Sequence, residues 1–150
     1  MTAFRKILVP TEFSPAAAEA FRVAVSLAKA TGGEVVVAHV ARTPAVVVEN
    51  GQFSTGTSPK KPHNLWDDFR PAASDDPKVR VTHEVVVAGS LPSARILELL
   101  EKYGCDLIVI GSHGHGRLRR FVRGSVTDDV VRKARCPVLV VKAPPGARAR

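Results

Sequence analysis

The chain has 150 residues, of which 45% are hydrophobic and 24% charged, a size and composition typical of one globular domain. Its net charge is +8, and the whole excess lies in residues 117–150, which hold 10 basic and 2 acidic side chains. Residues 1–116 hold 12 of each sign. A charge confined to one segment favours a local anion site plus a basic tail over a general polyanion-binding surface.

The two cysteines and the hydropathy of the chain predict its cellular compartment. Cys105 and Cys136 lie beside apolar runs and lack the CxxC spacing of a metal site, which predicts buried, reduced thiols. No apolar stretch reaches the roughly 18 residues that a membrane span needs, and the beginning of the chain lacks the long apolar region of a signal peptide. We therefore expect a cytoplasmic protein that does not bind membranes.

The first 40 residues predict a strand, a helix and a second strand. Residues 6–9 form a short apolar run that ends at Pro10, which is typical of a buried strand. Ser14 followed by Pro15 predicts the start of a helix, and Gly32 with Gly33 predicts its end. Residues 35–40 are continuously apolar or β-branched except for one histidine, as in strands that are buried on both faces of a parallel sheet.

Residues 41–77 interrupt this alternation. They are rich in proline and contain Gly51, Gly56 and a polar run, so we predict a long, partly disordered insertion. A short helix around residues 64–69 is the one regular element that we expect within it.

The second half of the chain returns to alternating elements. It predicts a strand over residues 79–87, a helix from Pro92 to Gly104, a strand over 106–110, a helix over 125–134 and a strand over 137–141. With right-handed crossovers, this order predicts an α/β fold in three layers, α/β/α, around an open, mainly parallel five-stranded sheet. We assign residues 1–143 to the domain and residues 144–150 to a basic tail. Ligands bind such sheets at the carboxyl ends of the strands, at the topological switch point.

A glycine-rich loop follows the most hydrophobic strand. Gly111, Gly114, Gly116 and Gly124 lie between that strand and the next predicted helix, where backbone N–H groups and the positive helix end can hold phosphate. Glycine allows positive φ and a close approach of the anion without an intervening Cβ. Ser125 is suited equally to capping the helix and to contacting the same anion.

Two common phosphate motifs do not fit this loop. The dinucleotide fingerprint GxGxxG fails because Arg119 stands where the third glycine is required. The Walker A motif fails because Gly116 is followed by Arg117 and Leu118 rather than by Lys and Ser or Thr.

The spacing that does fit is G-x-x-G, nine residues, then G-S, formed by Gly111, Gly114 and Gly124–Ser125. This pattern resembles the ATP-binding branch of the universal stress protein family. KILVPTEFS near the beginning, the His-Val that closes residues 34–40, GSLPSARI, and residues 106–141 also match that family in order. The resemblance implies a Rossmann-like, adenine-nucleotide α-hydrolase-like fold, with ATP as ligand and Mg2+ coordinated mainly by its phosphates. It further implies a nucleotide-dependent regulatory or stress-response role, and a homodimer formed through the last strand.

The same resemblance implies which residues contact the nucleotide. Residues 10–12 would lie beside the ribose and adenine, Val40 would offer backbone groups to the adenine edge, and the glycine loop would hold the phosphates. The full set is Pro10, Thr11, Glu12, Val40, Gly111, His113, Gly114, Arg117, Gly124, Ser125 and Val126. Family members usually have Asp at the position of Glu12. The longer side chain must retract to reach a ribose hydroxyl, or it caps the first helix instead.

Several histidines and arginines could have either a structural or a functional role. His113 and His115 have a spacing that could chelate a metal, but no cluster of further ligands supports them, so we predict no metal site in the protein itself. Four arginines, at positions 117, 119, 120 and 123, lie among the nine residues between Gly114 and Gly124. We expect one or two of them to face phosphate and the others to face solvent. His39 lies on a predicted strand, where a hydrogen-bonded structural role is expected.

Two other function classes are less well supported. A nucleic-acid binder would use the basic C-terminal segment, but aromatic residues make up 5% of the chain, and Tyr103 and Trp66 are isolated from one another. We therefore do not expect nucleic acid to be the ligand. An adenylyl transferase or hydrolase would need a catalytic motif, and no G-x-S-x-G elbow or Ser-His-Asp set is present. Slow ATP hydrolysis is the most that we expect.

Overall fold

The structure, a computed structural model, describes residues 4–42, 46–49, 52–55, 78–88, 91–112 and 126–146. Within these ranges it contains seven strands and three helices. They are β1 Lys6–Thr11, α1 Pro15–Thr31, β2 Glu34–Arg42, β3 Val46–Glu49, β4 Gln52–Thr55, β5 Val81–Ala88, α2 Pro92–Tyr103, β6 Leu107–Gly111, α3 Val126–Lys133 and β7 Val138–Val141.

Five of the strands form one parallel sheet in the order β5-β2-β1-β6-β7, which confirms the predicted architecture. β1 lies at the centre, with Ile7 opposite Val35 of β2 on one side and opposite Leu107 of β6 on the other. Its residues 7–11 are all buried. Burial on both faces explains why β1 and β6 are continuous apolar runs rather than alternating ones.

The helices cover the two faces of the sheet. α1 packs with Ile7, Val9, Val35 and Val37 on one face, whereas α2 and α3 pack with Leu8, Val36 and Ile108 on the other. α1 begins where the sequence predicts, because the Ser14 hydroxyl accepts a hydrogen bond from the backbone N–H of Ala17 at 3.1 Å. It ends at Gly32, whose φ of 70° is the left-handed conformation that glycine favours.

The structure departs from the sequence-based prediction in two places. β1 does not stop at Pro10 but continues to Thr11, because Pro10 and Thr11 still pair with Ala38 and His39 of β2. Inside the predicted insertion, β3 and β4 form an antiparallel hairpin with Glu49 opposite Gln52. The predicted helix at 64–69 and the end of the basic tail lie outside the described residues, and the disorder of the insertion stays a prediction.

The amino edge of the sheet is held by charged side chains. The Asp106 carboxylate accepts hydrogen bonds from the backbone N–H of Arg5 at 2.9 Å and of Lys6 at 3.1 Å. The Lys6 ammonium lies 2.7 Å from a carboxylate oxygen of Glu34. These contacts fasten the first residues of three neighbouring strands, β1, β2 and β6, to one another.

Both cysteines are free thiols near this amino edge. Cys105 is buried, and burial raises the pKa of its thiol to about 12. Burial also raises the pKa of Cys136, which is partly exposed. Neither thiol is therefore an ionised nucleophile at neutral pH. Among the described residues, no helix combines the length and apolar character required to span a bilayer.

Candidate functional site

The carboxyl ends of β1, β2 and β6 meet at one edge of the sheet. Thr11, the last residue of β1, is opposite His39 of β2, and the register between β1 and β6 runs from Ile7–Leu107 to Leu8–Ile108. α1 leaves β1 on one face, while α3 follows β6 on the other. The boundary between β1 and β6 is therefore the topological switch point, where open α/β sheets bind their ligands.

The turn from β1 into α1 forms the first wall of this site. Thr11 is buried, and its hydroxyl oxygen accepts a hydrogen bond from the backbone N–H of Phe13 at 3.0 Å. Phe13 has a φ of 61°, an uncommon conformation for a bulky residue. Glu12, between them, is exposed, and its carboxylate accepts a hydrogen bond from the Ser14 hydroxyl. The cap of α1 is thus Ser14, and Glu12 supports that cap rather than replacing it.

His39 connects the ends of β1 and β2. Its Nδ1 lies 3.1 Å from the carbonyl oxygen of Thr11, and its ring packs against the ring of Phe13 with centroids 4.6 Å apart. Val40, the residue for which a contact to adenine is implied, follows directly and is half-buried. The hydrogen-bonded structural role predicted for His39 is confirmed. Its partner, the carbonyl oxygen of Thr11, was not predicted from the sequence.

Gly111 ends β6 directly against α1. A Cβ at this position would lie 2.7 Å from the backbone carbonyl carbon of Ala16 and 2.7 Å from the backbone nitrogen of Ala17. Gly111 is not among the described residues with positive φ, so packing against the helix, and not a left-handed turn, explains why it must be glycine. The amino end of α1 is thereby brought to the switch point, and α1, which is described throughout, has no acidic residue in its first turn.

The two ends of the glycine loop are held close together. The Thr127 hydroxyl, on the first turn of α3, donates to the carbonyl oxygen of Gly111 at 3.3 Å, and both residues are buried. The backbone N–H of Ser112 donates to the carbonyl oxygen of Val141 in β7 at 2.6 Å. Val126 begins α3 and is half-buried. The loop residues proposed for phosphate lie outside the described residues; they are His113, Gly114, Arg117, Gly124 and Ser125.

Several polar side chains near the site and on α2 are engaged in structural contacts. Asp128 and Asp129 lie in the first turn of α3, and Asp129 accepts a hydrogen bond from the Ser93 hydroxyl at 3.2 Å. Across the ranges that the structure covers, no group of three or more His, Cys, Asp or Glu residues could hold a metal ion. Tyr103 donates its hydroxyl to Glu84 and is half-buried, so its ring is poorly placed for stacking on a base.

Comparison with known proteins agrees with this geometry. The family model of the universal stress protein family matches residues 3–142. Universal stress protein MJ0531 of Methanocaldococcus jannaschii is 32% identical over 146 residues, which cover 94% of this chain and 84% of that protein.

Solved structures of related proteins have the same fold. The structure of MJ0577 from Methanocaldococcus jannaschii superposes with a TM-score of 0.73 at 28% identity, covering 97% of this chain and 100% of that one. A universal stress protein from Archaeoglobus fulgidus, solved in complex with dAMP, superposes with a TM-score of 0.61 at 25% identity, covering 94% and 100%.

Proposed function

Because the chain belongs to the universal stress protein family, we propose that it binds ATP at the carboxyl edge of β1, β2 and β6. The bound nucleotide would control a regulatory role in a stress response. One observation carries this proposal: the Glu12 turn, the amino end of α1 and Gly111 converge at the switch point of the sheet. A related protein solved with dAMP supports an adenine nucleotide as the ligand class.

Each part of the nucleotide has residues suited to it. The Glu12 carboxylate is exposed at the end of β1, where it can accept a hydrogen bond from a ribose hydroxyl. The backbone of Val40, near the carboxyl end of β2, is assigned to the adenine edge. The positive end of α1 and the glycine loop, with Gly114, Arg117 and Ser125, are assigned to the phosphates. Mg2+ would be held mainly by those phosphates, since the described residues offer no metal-ligand cluster of their own.

The proposal includes a homodimer formed through β7. β7 lies at the edge of the sheet, and Leu139 and Val140 are 40% and 42% exposed, which is high for large apolar side chains on a strand. An unpaired apolar edge is a template for pairing with another strand. We also place the protein in the cytoplasm, a proposal supported by its two free thiols.

Two measurements test the ligand. Mass spectrometry of small molecules released by denaturing the purified protein should detect an adenine nucleotide, and calorimetric titration with ATP and Mg2+ should give saturable binding. Gly114→Ala should weaken ATP binding strongly while leaving the melting temperature nearly unchanged, because the role assigned to Gly114 is a close approach of its backbone to phosphate and not a place in the core. Replacing Arg117 with Ala should weaken ATP binding more than AMP binding if its guanidinium contacts the distal phosphates.

Absence of a released nucleotide, together with no binding of ATP, would refute the proposed function. Equal binding of ATP by Gly114→Ala and the unmodified chain would refute the assignment of the loop to the phosphates. Equal losses of ATP and AMP binding in Arg117→Ala would mean that Arg117 does not contact the distal phosphates.

A further inference from the structure

Glu12 is exposed, yet the backbone on both sides of it is held by hydrogen bonds. The peptide group before it presents the Thr11 carbonyl oxygen to His39 Nδ1 at 3.1 Å, and the peptide group after it donates the Phe13 N–H to the Thr11 hydroxyl oxygen at 3.0 Å. Since a peptide group is planar, fixing these two groups restricts both backbone dihedrals of Glu12. The direction in which its side chain leaves the backbone is therefore set by neighbouring residues.

The contact with Thr11 also indicates which ring nitrogen of His39 carries a hydrogen. A carbonyl oxygen only accepts hydrogen bonds, so Nδ1 must carry the hydrogen that is donated to Thr11. An Asn side chain has its amide nitrogen the same number of bonds from Cα as His Nδ1. Asn at position 39 is consequently able to make the same donation, whereas Phe fills similar space and has no donor.

Phe13 gives the turn a second dependence on His39. A bulky residue in the left-handed region is strained, and Phe13 with its φ of 61° keeps that conformation only if its surroundings hold it there. The ring of His39 packs on the ring of Phe13 at 4.6 Å between centroids, with the ring planes inclined by 48°. One side chain of β2 thus contacts the turn at two points, on either side of Glu12.

The far end of the Glu12 side chain is held as well. The Ser14 hydroxyl donates to Glu12 Oε1, while the Ser14 oxygen accepts from the backbone N–H of Ala17. Glu12 is therefore fixed through its backbone by His39 and Thr11, and through its carboxylate by Ser14. A solvent-exposed carboxylate restrained at both ends is organised in advance for a ligand, which lowers the entropy lost on binding.

We propose that His39 is a positioning residue of the nucleotide site: it orients the Thr11–Glu12 peptide group and so places the Glu12 carboxylate for the ribose. This inference rests on the proposed function, because it assigns the residue that prepares the same site. His39 does not itself contact the ligand, and its influence on binding passes through Glu12.

The first test separates the hydrogen bond from the ring. Calorimetric titrations with ATP and with adenosine are made on the unmodified chain, His39→Asn and His39→Phe, with the melting temperature of each. We expect His39→Phe to weaken both ligands about tenfold, as for the loss of one or two hydrogen bonds, since the ribose end is common to them. His39→Asn should bind ATP within about threefold of the unmodified chain, because the donor is retained.

The second test asks whether His39 acts through Glu12. In a double-mutant cycle with Glu12→Ala, we expect His39→Phe to weaken ATP binding by less than about twofold once the carboxylate is gone. A purely structural role predicts the same loss in both backgrounds, accompanied by a fall in melting temperature in both.

The outcomes separate this inference from the function on which it rests. If the unmodified chain binds ATP and His39→Phe binds it equally well, or if the losses in the cycle simply add, the positioning role is refuted while the proposed function stands. If His39→Asn binds ATP as weakly as His39→Phe while its melting temperature is unchanged, the hydrogen bond from His39 to Thr11 is not what supports binding. If the unmodified chain binds no ATP, the proposed function and this inference fail together.

Discussion

Gly111 at the end of β6 approaches the first turn of α1 so closely that a Cβ on it would lie 2.7 Å from the backbone carbonyl carbon of Ala16. Real Cβ atoms do not come so near to backbone, so any side chain here would push the strand and the helix apart. The first glycine of the loop motif is therefore required by the packing of two elements, independently of any ligand.

Replacing Gly111 with Ala should consequently destabilise the protein even without nucleotide. We expect a loss of about 3 kcal/mol in the free energy of unfolding, because backbone on both sides must shift. Urea denaturation followed by circular dichroism measures it. The matched control is Gly32→Ala, where φ is 70° but nothing lies within 4 Å of the added Cβ, and where about 1 kcal/mol is expected. Equal losses in the two variants would contradict this explanation of Gly111.

Ser14 has two separable contacts, one to the helix and one to Glu12. Ser14→Ala removes both and should lower the free energy of unfolding by about 1 kcal/mol through loss of the cap. Ser14→Asp should restore that stability, since a carboxylate accepts from the Ala17 N–H, but it cannot donate to Glu12 and repels it. We therefore expect Ser14→Asp to be as stable as the unmodified chain but to bind ATP more weakly than the unmodified chain does. Full recovery of both properties would show that the contact with Glu12 is unimportant.

Because its thiol is buried, Cys105 should make the free energy of unfolding decrease as the pH rises into the alkaline range. Burial raises its pKa from 9.0 to about 12 in the folded state. Below pH 9.0 both the folded and the unfolded chain hold the proton; between 9.0 and about 12 the unfolded chain loses it first, so this group's contribution to stability falls. The limiting slope is about 1.4 kcal/mol per pH unit.

Urea denaturation at pH 8, 9 and 10 on the unmodified chain and Cys105→Ala isolates this effect from other titrating groups. The stability advantage of the unmodified chain should shrink as the pH rises. An advantage that stays constant across this range would contradict the assignment.

The proposed dimer predicts that the two edges of the sheet respond differently to charge. Leu139→Lys on β7 should convert a dimer into a monomer, because a charged side chain on an edge strand opposes strand pairing. Val85→Lys is the matched control, since Val85 is 46% exposed on β5 at the opposite edge. Light scattering at micromolar concentration gives the mass of each. A monomeric unmodified chain refutes the dimer, and dissociation by both variants refutes β7 as its interface.

Much of the fold could be predicted because its signals are local. Ser14 with Pro15, Gly32 and Gly104 mark helix ends through the conformations that each residue prefers, and all of them act within one turn of helix. The alternation of strands and helices, with the right-handed rule for crossovers, was enough to predict a parallel five-stranded sheet covered on both faces, although not the order of its strands. The β3–β4 hairpin was missed, although Asn50 and Gly51 between the two strands are the dipeptide most favoured in tight hairpin turns.

The site was less predictable, because its contacts join distant parts of the chain. The hydrogen bond from His39 to Thr11 spans 28 residues and depends on the register of β1 against β2. The bond from Thr127 to Gly111 depends on where α3 begins relative to the end of β6. Neither the choice of partner nor the distance follows from composition or periodicity. The assignments within the glycine loop, from His113 to Ser125, stay predictions.

The position of β1 between β2 and β6 affects the order in which the protein can assemble during synthesis. β2 follows β1 closely along the chain, but Asp106 accepts hydrogen bonds from residues that precede it by 101 and 100 positions. Until residue 107 and its successors leave the ribosome, β1 has one hydrogen-bonding edge without its partner, and Leu8 lacks the neighbour Ile108. Such an open, apolar edge is the kind of surface that chaperones and other nascent chains recognise. Closure of the central strand is thus a late step, and a pause in translation before β6 would prolong the interval in which the nascent chain is prone to aggregate.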